Sequence, residues 1–289
     1  MIAHVAEAGE DRGRVVVRLG ACAVSSPAAL AAAIHVARAF QSEIEAIFVE
    51  DADAIAATNH GHVRMVSATG ARRATPGGDR TLAADFSSFG MAAQREVSVL
   101  AKAAGVAFSG QIVRADTLAA LSAACAERGP WNIIVLAEPI ASAERAAVLN
   151  EALARVWGTT AFVACGRNAR WRSGPILAVV EDIERLAGLM RAAERLATIG
   201  GEEVLLLPAA EDEIALDWLE SEIRLTLREY RGVKLLARSE PAGLPPALHG
   251  AVARVKPRIV LARHGGQIVP AEGTKQALAT LDCPVFIVH

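Results

Sequence analysis

The sequence predicts an α/β protein of two doubly wound, parallel, five-stranded sheets in tandem. Two observations carry this prediction. Short β-branched runs alternate with amphipathic stretches along the whole chain, and parallel strands need helical crossovers that cover both faces of a sheet. The second is an internal echo: Ile134-Val135-Leu136-Ala137 returns as Ile259-Val260-Leu261-Ala262. From the echo to the last strand is 27 positions in the first half (Ile134 to Ala161) and 26 in the second (Ile259 to Val285). The tetrads are therefore in register with their surroundings, and a tandem duplication is expected.

The elements follow in order. RVVVRL (14–19) reads as a strand. SSPAALAAAIHVARAF (25–40) reads as a helix with Ser26 as N-cap, Pro27 at the first helical position, and Leu30, Ala33, Ile34 and Ala37 on one face. His35 lies opposite Leu30 and reads as a surface residue. EIEAIFVE (43–50) is the next strand, and 79–105 carries Leu82, Phe86, Phe89, Ala93, Val97 and Leu100 at helical spacing. FSGQIV (108–113), a helix capped by Asp116 and stopped at Gly129-Pro130, NIIVLA (132–137) and AFVAC (161–165) complete the first half.

The order then repeats. PILAVV (175–180) precedes a helix with Leu186, Leu189 and Leu196 that stops at Gly200-Gly201. EVLLLP (203–208), a helix with Leu216, Leu219, Ile223 and Leu227, VKLLAR (233–238), RIVLAR (258–263) and VFIV (285–288) follow. The polar, glycine-flanked stretch GRNARWRSG (166–174) separates the halves, giving domains at 1–166 and 172–289, the first with an inserted loop at about 51–80.

Composition narrows the function. The 289 residues are 53% hydrophobic, much of it alanine, with mean hydropathy +0.31. No uncharged apolar run approaches the ~18 residues of a membrane span, and none is expected. The opening MIAHVAEAGEDRGR lacks a basic stretch leading into an apolar one, so the expected location is cytoplasmic. A net charge of −2 argues against nucleic acid as a partner. Cys22, Cys125, Cys165 and Cys283 form no CxxC pair and read as buried, reduced thiols.

The strand, the Ser-capped alanine-rich helix and EIEAIFVED (43–51), together with the closing LDCPVFIVH (281–289), resemble the universal stress protein family. The resemblance covers both halves. It implies a flavodoxin-like fold of the adenine-nucleotide α-hydrolase type, strand order 3-2-1-4-5, with the last strands of the two halves pairing as a pseudo-dimer. A homodimer is a further expectation. Many members bind ATP beyond the carboxyl ends of the strands, through an acid at the end of the first strand and a loop G-x2-G-x9-G-[ST] after the fourth. The chemistry is general: glycines let backbone N–H groups approach phosphate, and a helix N-terminus adds partial positive charge.

The first half departs from that pattern throughout. Ala137 and Ile140 stand at the first two glycine positions, Asn150-Glu151 at Gly-[ST], and the first strand ends in Leu19-Gly20 without an acid. The second half keeps more. Glu181-Asp182 ends its first strand, Gly265 and Gly266 follow its fourth, and Gly273-Thr274 opens a helix with Lys275 beside it. However, Ala262 takes the first glycine position and the loop is shorter than the motif. Glu181, Asp182, Gly265, Gly266, Gly273, Thr274 and Lys275 are therefore the candidate site, for ATP or AMP, or else the relic of one in a structural turn.

Other features are weaker. His60 and His62 could share a strand face as metal ligands, but no acid or cysteine cluster accompanies them. The segment 51–80 reads as a loop excursion, a lid or a partner-binding loop. No GxSxG, HExxH or Walker loop is present. The expectation is a non-catalytic regulatory or interaction module of the stress-protein kind with no cofactor required. The alternative is an ATP or AMP sensor using the second half, and an enzyme on the same fold stands third.

Overall fold

The computed structural model describes residues 13–20, 25–50, 65–66, 72–73, 79–127, 131–230, 232–236 and 245–288, with backbone alone at 65–66, 72–73, 79–86, 229 and 245–246. His60, His62 and Cys22 lie outside the described residues. So does the inserted loop, apart from a two-residue antiparallel ladder of Met65–Val66 on Arg72–Arg73 and the helix start at Asp79.

In the first half the chain runs β1 (Val15–Gly20), α1 (Pro27–Ala39), β2 (Ile44–Glu50), α2 (Asp79–Ala103), β3 (Phe108–Arg114), α3 (Thr117–Ala126), β4 (Asn132–Leu136), α4 (Ala143–Arg155) and β5 (Thr159–Ala164). In the second it runs β6 (Ile176–Val180), α5 (Ile183–Gly200), β7 (Val204–Pro208), α6 (Glu213–Thr226), β8 (Val233–Leu235), α7 (Pro245–Val255), β9 (Ile259–Arg263), α8 (Thr274–Thr280) and β10 (Val285–Val288).

The last strands of the two halves pair as expected, so the two five-stranded sheets form one continuous sheet. Its order is β8-β7-β6-β9-β10-β5-β4-β1-β2-β3, so the order 3-2-1-4-5 holds on each side of a central seam. At the seam β5 and β10 pair antiparallel, Ala161 opposite Val288 and Phe162 opposite Ile287; within each half every pairing is parallel. The reason is in the side chains. Phe162, Val163, Phe286 and Ile287 are all buried, and each strand covers the other's backbone groups.

Helices cover both faces. One layer packs α1, α2, α5 and α6 on Val15, Val17, Phe48 and Ala178. The other packs α3, α4, α7 and α8 on Val16, Ile47, Phe162 and Ile287. Local signals set the helix ends as expected: the Ser26 hydroxyl accepts from Ala29 N–H and the Asp116 carboxylate from Leu118 and Ala119 N–H. Gly201 closes α5 in the left-handed region at φ 68°.

Two readings need correction. On α2 the inward face is Gly90, Val97 and Ala101, while Phe89 is 62% exposed. Gly90 sets this rotation, because a β-carbon there would meet the Phe48 ring at 2.7 Å. His35 is not a surface residue but is 5% exposed. Its Nε2 lies 2.8 Å from the Leu196 carbonyl of α5, and its ring meets Trp171 edge-on. α1 has a second buried face because α5 and the inter-half linker pack on it.

Candidate functional site

In a doubly wound sheet the ligand crevice opens where first and fourth strands lie side by side, beyond their carboxyl ends. Here those places are β1 beside β4 and β6 beside β9.

The second crevice holds three of the seven predicted site residues together. Glu181, directly after β6, reaches the turn after β9, where its Oε1 accepts from Gln267 N–H at 2.6 Å. Its Oε2 lies 3.5 Å from Arg263 Nε, and it fills the space a β-carbon on Gly266 would take. A side chain at Gly266 would therefore have to displace the Glu181 carboxylate. Burial raises the pKa of Glu181, while the Gln267 N–H and the Arg263 guanidinium oppose the rise.

The other amides of the turn are also engaged. Gly265, at φ 73°, donates to the Val269 carbonyl at 2.9 Å, and Gly266 donates to the Arg263 carbonyl at 3.3 Å. Ile268 and Val269 are fully buried and draw the loop down into the helix layer. An internal carboxylate therefore takes the donor that a phosphate would need, and the loop's own carbonyls take two more.

The remaining candidates point elsewhere. Asp182 caps α5, accepting from Glu184 N–H at 2.9 Å. Gly273 is the N-cap of α8 at φ 85° without a side-chain cap bond. Thr274 is 1% exposed, its hydroxyl 2.7 Å from the Pro270 carbonyl and 2.9 Å from Asn150 Oδ1 on α4. Lys275 is half-buried beside it. No described contact joins Gly273, Thr274 or Lys275 to Glu181.

The first crevice is closed by the same chemistry with the charges exchanged. Arg18 on β1 donates to Glu138 Oε2 after β4, with side chains 17% and 7% exposed. Glu138 leaves no room for a β-carbon on Gly20. Through the IVLA echo, Glu138 holds the position of Arg263, so an acid in one half stands where a base stands in the other. Ala137 and Ile140, at the motif's glycine positions, are buried. Sequence reasoning missed this pair. The signal was Arg18, a charge inside an apolar run of a central strand, which needs a partner when both faces are covered.

Among the described residues no cluster of three or more His, Cys, Asp or Glu side chains could hold a metal, and no helix is long and apolar enough to cross a membrane. Burial pushes the thiols of Cys125, Cys165 and Cys283 up to about 12, far from nucleophile range.

No protein-family model matches the sequence, and no curated protein matches it. Solved structures match the fold. A universal stress protein from Archaeoglobus fulgidus is 13% identical with TM-score 0.58, over 94% of this chain and 95% of that one. A functionally unknown protein from Pseudomonas aeruginosa is 14% identical with TM-score 0.55, over 94% and 92%. The cytoplasmic domain of a prokaryotic cation chloride cotransporter is 12% identical with TM-score 0.53, over 96% and 95%. The fold is thus the universal stress protein fold, extended over nearly the full length of each chain.

Proposed function

We propose that this chain is a cytoplasmic, non-catalytic regulatory or interaction module of the universal stress protein kind, whose nucleotide crevices are occupied by its own side chains. On this reading residues 1–166 and 172–289 are two domains joined as a pseudo-dimer. The observation that carries the reading is the pair of charge-exchanged ion pairs, Arg18–Glu138 and Arg263–Glu181, one in each crevice. A nucleotide would have to displace the half-buried Arg18–Glu138 pair in the first half, and in the second it would have to take both Arg263 and the Gln267 N–H from Glu181.

The cotransporter domain is the comparison nearest to this reading, since a fold of this kind serves there as a cytoplasmic domain. The alternative, an ATP or AMP sensor in the second half, is supported by the left-handed glycines Gly265 and Gly273. It is weakened by the length of α8, seven residues, which gives little dipole, and by Pro270, which lacks an N–H.

Mass spectrometry of purified, denatured protein should find no co-purified nucleotide, and calorimetry with ATP and AMP should show no heat. Stoichiometric nucleotide would overturn the reading. Heat abolished by Gly273→Glu would establish the sensor instead.

A further inference from the structure

The linker between the halves shows what one helix face of this fold is built to hold. Within it Trp171 packs against α1, edge-on to His35 at 5.1 Å between ring centroids. The Arg258 guanidinium stands 5.3 Å over the Trp171 ring. Arg172 pairs with Asp282, whose carbonyl accepts from Arg170 N–H at 2.8 Å. On α1 the face Ala28, Ala32, His35 and Val36 is buried, under the linker and α5 together.

Aligning the helix caps Ser26 and Asp182 sets that face against Glu184, Gly188, Arg191 and Ala192 of α5. There the outcome differs. Glu184, Gly188 and Arg191 are exposed, Ala192 is half-buried, and no described residue lies over them. A groove of about 1010 Å³ runs beside them, with Ile133, Leu189, Phe286 and Val288 among its apolar lining and Trp131 at its rim. Trp131 is 63% exposed.

The charge is also different. Ile133 stands, through the echo, at the position of Arg258. The cations sit on the helix instead: Arg185, Arg191 and Arg195 of α5 line the groove, the last two about one turn apart. Arg195 lies 5.6 Å over the Phe40 ring. Of the acids nearby, Asp182 caps the helix and pairs loosely with Arg185 at 3.8 Å, Glu181 is held by Gln267 and Arg263, and the exposed Glu184 faces the two remaining arginines, Arg191 and Arg195. Arg191 has no ion pair among the described residues.

The geometry points to this groove as the docking site for an acidic peptide segment of a partner protein that carries one aromatic side chain. The inference rests on the interaction-module reading. The aromatic side chain takes the place that Trp171 has on α1, on an apolar floor, and the acids meet Arg191 and Arg195.

The probe is the chain's own linker with its three arginines changed to glutamate, fluorescein-GENAEWESG, titrated by anisotropy at low salt. It should bind more tightly, by about tenfold or more, than GRNARWRSG or the tryptophan-free GENAEAESG. Arg191→Glu should weaken it by about tenfold. Gly188→Leu should block it while leaving Tm unchanged or raised, since the site is an exposed helix interior and a β-carbon there meets only the tip of Arg191, at 3.9 Å.

Absence of binding, equal affinity for the tryptophan-free peptide, or indifference to both substitutions would overturn the proposal. Competition by indole-3-acetate at equal concentration would also overturn it, reassigning the groove to small aromatic anions. Nucleotide content is read separately, so a failed titration on nucleotide-free protein counts against this groove and leaves the closed crevices standing.

Discussion

Asn150 of α4 holds the start of α8 in the other half of the chain. Its Oδ1 lies 2.9 Å from the Thr274 hydroxyl, and its Nδ2 donates to the Ala271 carbonyl at 3.0 Å. The sequence alone marks Asn150 as inert, a position where a phosphate motif has decayed. The structure makes it a cross-half clamp.

Asn150→Ala should therefore destabilise the protein by about 1 kcal/mol, and Thr274→Val, which removes the hydroxyl from the half-buried Pro270 carbonyl and from Asn150, by about 1–2 kcal/mol. The double substitution should cost less than the sum by about 0.5 kcal/mol or more. Chemical denaturation of the four proteins measures the coupling. Strict additivity would show that the two side chains do not act together.

His35 should give the fold an acid-sensitive contact. Burial is the main cause of its lowered pKa, partly offset by the Leu196 carbonyl and by Glu202. The folded value lies below the ordinary 6.5, so the unfolded chain takes up a proton first. The neutral ring's contribution is present above that value and is lost as pH falls through it toward the folded pKa. Wild type should lose more stability than His35→Gln between about pH 7 and about pH 5. Parallel urea-midpoint profiles would count against the assignment.

The Arg18–Glu138 pair should be costly to break and cheap to replace. Arg18→Ala leaves Glu138 buried without its partner, a loss of about 3 kcal/mol. Arg18→Met with Glu138→Leu should restore most of that, because a buried ion pair and well-packed apolar groups have similar net worth. If the double variant is as unstable as the single one, the pair does more than neutralise itself.

Cys125, Cys165 and Cys283 should resist alkylation in the native state. Each is buried, and burial holds its thiol near 12. Iodoacetamide at about pH 8 should label them only after denaturant is added. Peptide mapping that finds Cys165 modified under native conditions would show that the seam opens.

Much of the fold was legible because its signals are local. Ser26, Asp116 and Gly201 mark helix ends by chemistry that acts within four residues, and the IVLA echo reports two fourth strands through their shared burial. What failed depended on distant partners. His35 looks exposed until the linker and α5 are placed over α1. Arg18 was readable as a misfit in a strand, but Glu138 lies 120 positions away. At the site, Glu181 was found by its place after the first strand. That its carboxylate would turn onto Gly266 and Gln267 follows from the short loop after β9, whose three-dimensional path no spacing rule supplies.

The seam between β5 and β10 joins two stretches of one polypeptide. Two separate subunits making the same contact would part on dilution, and their pairing would track expression level. Here the eleven residues between β5 and β6, 165–175, keep the strands at an effective concentration on the order of millimolar. The contact therefore holds however scarce the protein is. Control by assembly and disassembly of this seam is closed to such a chain. Anything that regulates it through the seam has to act on a contact that is already made.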